Sequence, residues 1–187
     1  PGGNASSYEP VISADGTKVA FWSLASNLVP GTFGSSPRVY VADVSTGAIT
    51  LIAAGGSVSN MAPGISADGR YVTFASGQPN LVPSDPNGIN ADIFVADTVS
   101  GQIALVTTGA DSDSSNPTIS QNGRHVVFYS AASNLVSSDT NGTVDVFLAD
   151  NPLAPPLIFT GADNSIDLNA YDLSLYYGPE TLNAGDG

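Results

Sequence analysis

The sequence predicts an all-β fold: three four-stranded antiparallel propeller-type blades, arranged as an open array or half propeller. Three observations predict it. The first is self-similarity. Ser13, Ser66 and Ser120 hold the same place in three successive copies, 53 and then 54 residues apart, and Asn27, Asn80 and Asn134 of the Asn-Leu-Val runs keep that spacing. A fixed period near fifty residues is the mark of a solenoid, a propeller or an array. The second is that each copy divides into four short apolar runs separated by turn signals, at 64–66, 70–76, 92–97 and 102–108 in the middle copy. The third is that the central runs are apolar on both faces, with Val72 and Phe74 beside Tyr71 and Ala75. A strand reads that way when its sheet is buried on both sides.

The copies cover about residues 4–54, 55–108 and 109–160, and residues 161–187 read as an incomplete fourth repeat or tail. Gly2-Gly3 corresponds in phase to Gly55-Gly56, so residues 1–8 read as the linker that precedes a blade. The first two runs of the middle copy meet at Ala67-Asp68-Gly69. Asp-Gly there predicts a tight hairpin with positive φ at both central residues. The last two meet at Thr98-Val-Ser-Gly101, with Gly47 at the same place in the first copy. The longest loop, residues 77–91, joins the second run to the third. In the third copy, the proline-rich residues 151–157 precede the last strand, which fits an outer edge where a missing N–H does no harm. Beyond Thr160, Leu173-Ser174 echoes Ile119-Ser120 as the first strand of a fourth repeat that is not completed.

The opening Pro-x-Ile-Ser-x-[Asp/Asn]-Gly of each copy, and the later Asp-[Ile/Val]-Phe-[Val/Leu]-Ala-Asp, resemble the TolB-like family of propeller repeats, relatives of the Trp-Asp repeats. The resemblance covers roughly residues 4 to 160 and is to repeat proteins of secreted bacterial type. The first copy departs from the pattern, with Arg38 before its Val-Tyr-Val-Ala-Asp run. The resemblance implies the fold. The family serves as a binding scaffold and as a non-catalytic domain attached to enzymes.

Charge narrows the classes of function. The chain of 187 residues has 17 acidic and 4 basic residues, a formal net charge of −13. Lys18, Arg38, Arg70 and Arg124 do not cluster, so the basic footprint of a nucleic-acid binder is missing. Anionic membrane surfaces are disfavoured for the same reason, and no apolar run approaches the ~20 residues of a membrane span. With no cysteine, neither a disulfide framework nor a cysteine metal site can form. A composition rich in Asn, Asp, Ser, Thr and Gly and poor in Lys points to an extracellular protein.

The most chemical-looking feature is the long loop. It reads Asp85-Pro-Asn87-Gly88 followed by Asp92 in the middle copy, and Asp139-Thr-Asn141-Gly142 followed by Asp145 in the third. Hard cations such as calcium take several oxygen ligands from a tightly turning loop. Asp85, Asn87, Asp92, Asp139, Asn141 and Asp145 are therefore candidate calcium ligands. Asp and Asn also make Asx-turns, and Asn-Gly supplies positive φ, so plain turn chemistry accounts for the same residues. The first copy lacks the acidic loop residues.

The single histidine, His125, shares its repeat position with Lys18 and Tyr71, which reads as a half-exposed strand position rather than a general base. Ser13, Ser66 and Ser120 recur in phase as locally bonded residues rather than nucleophiles. Trp22, Ala75 and Tyr129 share another position; an aromatic there binds a sugar ring if exposed, or packs between blades. The expectation is a non-catalytic secreted structural or interaction module. Its end blades, uncovered, would pair it with itself as a homo-oligomer or filament, or with further repeats. The alternative is an accessory substrate- or carbohydrate-binding propeller domain of a larger secreted enzyme.

Overall fold

Among the described residues, the short apolar runs are realised as eleven strands in three antiparallel sheets. A computed structural model describes residues 2–31, 36–54, 61–137, 139 and 141–155. The first sheet contains β1 (Ser7–Ile12), β2 (Lys18–Ser23), β3 (Arg38–Asp43) and β4 (Ile49–Ala54) in chain order. The second contains β5 (Gly64–Ile65), β6 (Tyr71–Ser76), β7 (Asp92–Asp97) and β8 (Ile103–Leu105), again in chain order. The third joins β9 (Ser114–Ile119), β10 (His125–Ser130) and β11 (Asp145–Asp150). The last strand expected for the third copy and the partial fourth repeat lie outside the described residues. The chain divides at Ala154/Pro155 into two compact units, and all eleven strands belong to the first.

The expected tight Asp-Gly hairpin is replaced by a longer loop. Only the glycine has positive φ, at 72° for Gly16, 69° for Gly69 and 72° for Gly123. The backbone pairs Ser13 with Lys18, Ser66 with Tyr71 and Ser120 with His125, leaving four residues in the loop. The serine hydroxyl makes this loop. In the middle copy Ser66 Oγ donates to Asp68 Oδ1 at 2.6 Å and accepts the Tyr71 N–H at 2.9 Å. Ser13 and Ser120 do the same in their own copies, so all three hydroxyls are committed to their turns.

The middle sheet packs one face against the first and the other against the third. Ala20, Trp22, Val39 and Val41 of the first blade form one cluster with Val72, Phe74, Phe94 and Ala96 of the second. Tyr71, Ala75, Ile93 and Val95, on the opposite face of the second blade, form another with Ile119, Val126, Phe128 and Phe147 of the third. Every residue of β6 and β7 is buried, as a sheet sandwiched between two others requires. On β10 and β11 burial alternates instead, because among the described residues only one face of the third blade has a neighbour.

Glu9, Ala62 and Asn116, each followed by proline, all have positive φ, of 50°, 36° and 51°. Around Glu9 and Asn116 the pairing of the first strand with the second shifts register, so the feature is a repeated bulge. Asparagine tolerates this conformation; alanine is strained there by roughly 1–2 kcal/mol. Ala62→Asn, which installs the third copy's residue in the second, is expected to stabilise the chain by about 0.5–1 kcal/mol. Thermal denaturation checks this, and a lower melting temperature would refute it.

Candidate functional site

The loop between β6 and β7 turns at Gly88, where φ is +76° and an L side chain would be strained. That turn carries Asp85 and Asn87 back toward Asp92, the first residue of β7. Asp92 is fully buried, at 0% exposure. One of its oxygens, Oδ1, accepts the Thr107 hydroxyl at 2.7 Å and the Asn87 side-chain amide at 3.2 Å. The same amide donates to the Ala110 carbonyl at 2.9 Å. The Ala91 N–H donates to Asp113 Oδ1 at 2.8 Å, which ties the loop to the approach to β9.

Three oxygens of this cluster are buried without a hydrogen-bond partner: Asp85 Oδ1, Asn87 Oδ1 and Asp92 Oδ2. A buried acceptor left without a partner costs of the order of 1–3 kcal/mol, and more when it is charged. Burial accordingly pushes the Asp92 carboxyl up from its ordinary value; the hydrogen bonds from Thr107 and Asn87 oppose the rise, and the Asp85 and Asp113 charges add to it. Among the described residues, no three His, Cys, Asp or Glu side chains converge to hold a metal ion. Here the third group is an amide oxygen, a ligand class that hard cations also accept.

The corresponding loop of the third copy is arranged differently. Asn141 Oδ1 accepts the Thr143 N–H at 2.9 Å and its hydroxyl at 3.0 Å, the bonding of an Asx-turn. The Asn141 amide donates to Asp145 Oδ2 at 3.0 Å, and the Asn141 N–H to Asp139 Oδ1 at 3.4 Å. Asp139, Asn141 and Asp145 line an open cleft of about 430 Å³ together with Val136, Val146, Phe147 and Leu148. In the first blade the position of Asp92 is held by Arg38, also buried, whose guanidinium donates to the Ser36 carbonyl at 3.0 Å.

Thr107 is the residue that the sequence does not single out. It stands in phase with Ala53, and by the shared Thr-Gly-Ala run with Phe159, so only the second copy has a hydroxyl there. That difference between copies is the available signal. Trp22 is only 8% exposed. It stacks on Tyr8 with ring centroids 4.4 Å apart, and its indole N–H donates to Glu9 at 2.9 Å. Trp22 is thus a packing residue, and the exposed aromatic at this repeat position is Tyr129. His125 Nδ1 lies 3.0 Å from Asp150 Oδ1 across the β10–β11 pair. Lys18 and Asp43 meet in the same way across β2 and β3, at 3.6 Å.

No protein-family model matches the chain. No curated protein matches it either. Among solved structures, TolB from Acinetobacter baumannii is similar over 78% of this chain and 30% of its own, with 22% identity and a TM-score of 0.53. The chain resembles a TolB-like β-propeller. A putative TolB from Agrobacterium tumefaciens agrees, covering 79% of this chain and 52% of its own, at 21% identity and a TM-score of 0.51. At these identities the likeness to TolB shows the fold alone. The chain spans roughly a third to a half of the length of the TolB chains it matches.

Proposed function

We propose that the chain is a non-catalytic, secreted structural or interaction module that associates with a second copy of itself through its end blades. One observation carries this reading. Val127, Tyr129, Val146 and Leu148 on the outer face of the third blade are 40%, 45%, 63% and 69% exposed. They stand at the repeat positions of Thr73, Ala75, Ile93 and Val95, which the third blade buries on the second. Contiguous exposed apolar surface marks an interaction site.

The complement of this face is the other face of the same repeat, the one that Val72, Phe74, Phe94 and Ala96 present to the first blade. Another copy of the repeat is therefore the partner whose chemistry fits. On the first blade that complementary face includes Val19 and Phe21, both half-buried. Joining unlike faces gives a heterologous contact, which closes into a ring when the rotation allows and otherwise extends into a filament. Secretion is supported by the composition, with 4 basic residues against 17 acidic ones.

Val146→Lys combined with Leu148→Lys tests the association. Both side chains are exposed, so the fold is expected to survive while the charges block the face. Light scattering should give a dimer or larger species for the unaltered chain and a monomer for the double variant. A monomeric unaltered chain at high micromolar concentration would overturn the proposal.

A further inference from the structure

We infer that Asp85, Asn87 and Asp92 form a binding site for a hard divalent cation of the calcium class, present in the second blade and, among the described residues, not repeated in the others. Three oxygens that lack hydrogen-bond partners come from one turn and the strand that follows it. The hydrogen bond from the Asn87 amide to Asp92 Oδ1 holds the two side chains against each other, and the fully buried Asp92 is fixed from behind by Thr107. Two carboxylates balance the charge of a divalent ion. Calcium takes 6–8 oxygen ligands, which leaves room for water and backbone carbonyls beside these three.

The repeat explains why the site stands alone. Arg38 puts a cation of the chain's own at the Asp92 position of the first blade. In the third, Asn141 has turned its oxygen to the Thr143 backbone and hydroxyl. Only the second copy combines the acidic loop with a hydroxyl at position 107. Bound there, the ion would fasten the loop to β7, and through Asn87 and Ala110 to the segment that leads into the third blade.

The test uses the whole chain with calcium chloride or a chelator. At a hundredfold excess over Kd, calcium is expected to raise the melting temperature by roughly 5–10 °C. Asp92→Asn keeps an acceptor for Thr107 and Asn87 and puts an N–H₂ group where Oδ2 has no partner. It should melt higher than the unaltered chain in chelator and show no calcium shift. Asp85→Asn lies on a half-buried loop residue and guards against misfolding of the first variant; it should weaken calcium affinity at least tenfold. Asp139→Asn with Asp145→Asn should leave the shift intact. Identical melting in calcium and chelator overturns the inference, and so does a shift lost only in the Asp139 and Asp145 variant. If Asp92→Asn stabilises the chain while calcium does nothing, the three oxygens share a proton and the cation site is refuted.

Discussion

Phe94→Ala is expected to destabilise the chain by about 3–5 kcal/mol, the usual cost of emptying a well-packed aromatic site. Phe94 is fully buried, and its ring lies 5.8 Å from that of Phe74 at an interplanar angle of 19°. Both rings sit in the cluster formed with the first blade, so truncation removes contacts within one sheet and between two. The surrounding β6 and β7 are paired along their whole length and cannot collapse into the gap. Native domains have only about 5–15 kcal/mol of stability in total, so the variant should be largely unfolded at temperatures where the unaltered chain is native. Circular dichroism against temperature or denaturant checks this. Leu148→Ala is the control: that side chain is exposed, and the expected change in an isolated chain is below about 0.5 kcal/mol. Equal effects of the two substitutions would contradict the inter-blade core described above.

The second large effect is expected at Gly123, read against Gly16. The two glycines hold the same place in the hairpin loop and share a φ of 72°. A methyl group at either must adopt a left-handed backbone, which costs roughly 1–2 kcal/mol. At Gly16 nothing lies within 4 Å of the added carbon, so Gly16→Ala should cost about that amount. At Gly123 the added carbon would stand 2.5 Å from Tyr71 Cδ2. Tyr71 is buried, and its hydroxyl donates to the Leu153 carbonyl at 3.3 Å, so the ring is held at both ends. Overpacking of that kind adds about 1–3 kcal/mol. Gly123→Ala should therefore destabilise by roughly 3 kcal/mol, clearly more than Gly16→Ala. Tyr71→Ala in the same background should narrow the difference; if it does not, the penalty lies elsewhere than in the ring.

Much of this fold is legible in the sequence because a repeat states each instruction three times. Alternating Tyr71, Val72, Thr73 and Phe74 announces a sheet with two buried faces, and the structure buries both. The hairpin type is misread because Asp68-Gly69 on its own favours a two-residue turn. Ser66, three residues ahead of the glycine, decides otherwise by bonding both the Asp68 side chain and the Tyr71 backbone. The candidate site is legible only in outline. Asp85-Pro-Asn-Gly and Asp139-Thr-Asn-Gly look equivalent along the chain. What separates them is the burial of Asp92 and its bond to Thr107, fifteen residues away on the far side of β8. Such a contact depends on how the sheet brings its strands together, and local turn chemistry carries no trace of it. At Trp22 the sequence allows either sugar binding or packing between blades, and the structure packs it there, with Tyr8 on its ring and Glu9 on its N–H.

The two packed faces of the middle blade also grade stability along the chain. To release β6 or β7, both flanking clusters must be uncovered, so their amides exchange with solvent only in rare, nearly global openings. The outer face of β11 has no neighbour among the described residues, and its strand can lift away while the other two sheets stay intact. Where each repeat contacts only its neighbours, the free energy of the array is close to a sum of unit and interface contributions. A blade added against Val146 and Leu148 would contribute an interface in the same way, and the slowly exchanging centre of the array would then move one repeat further along the chain.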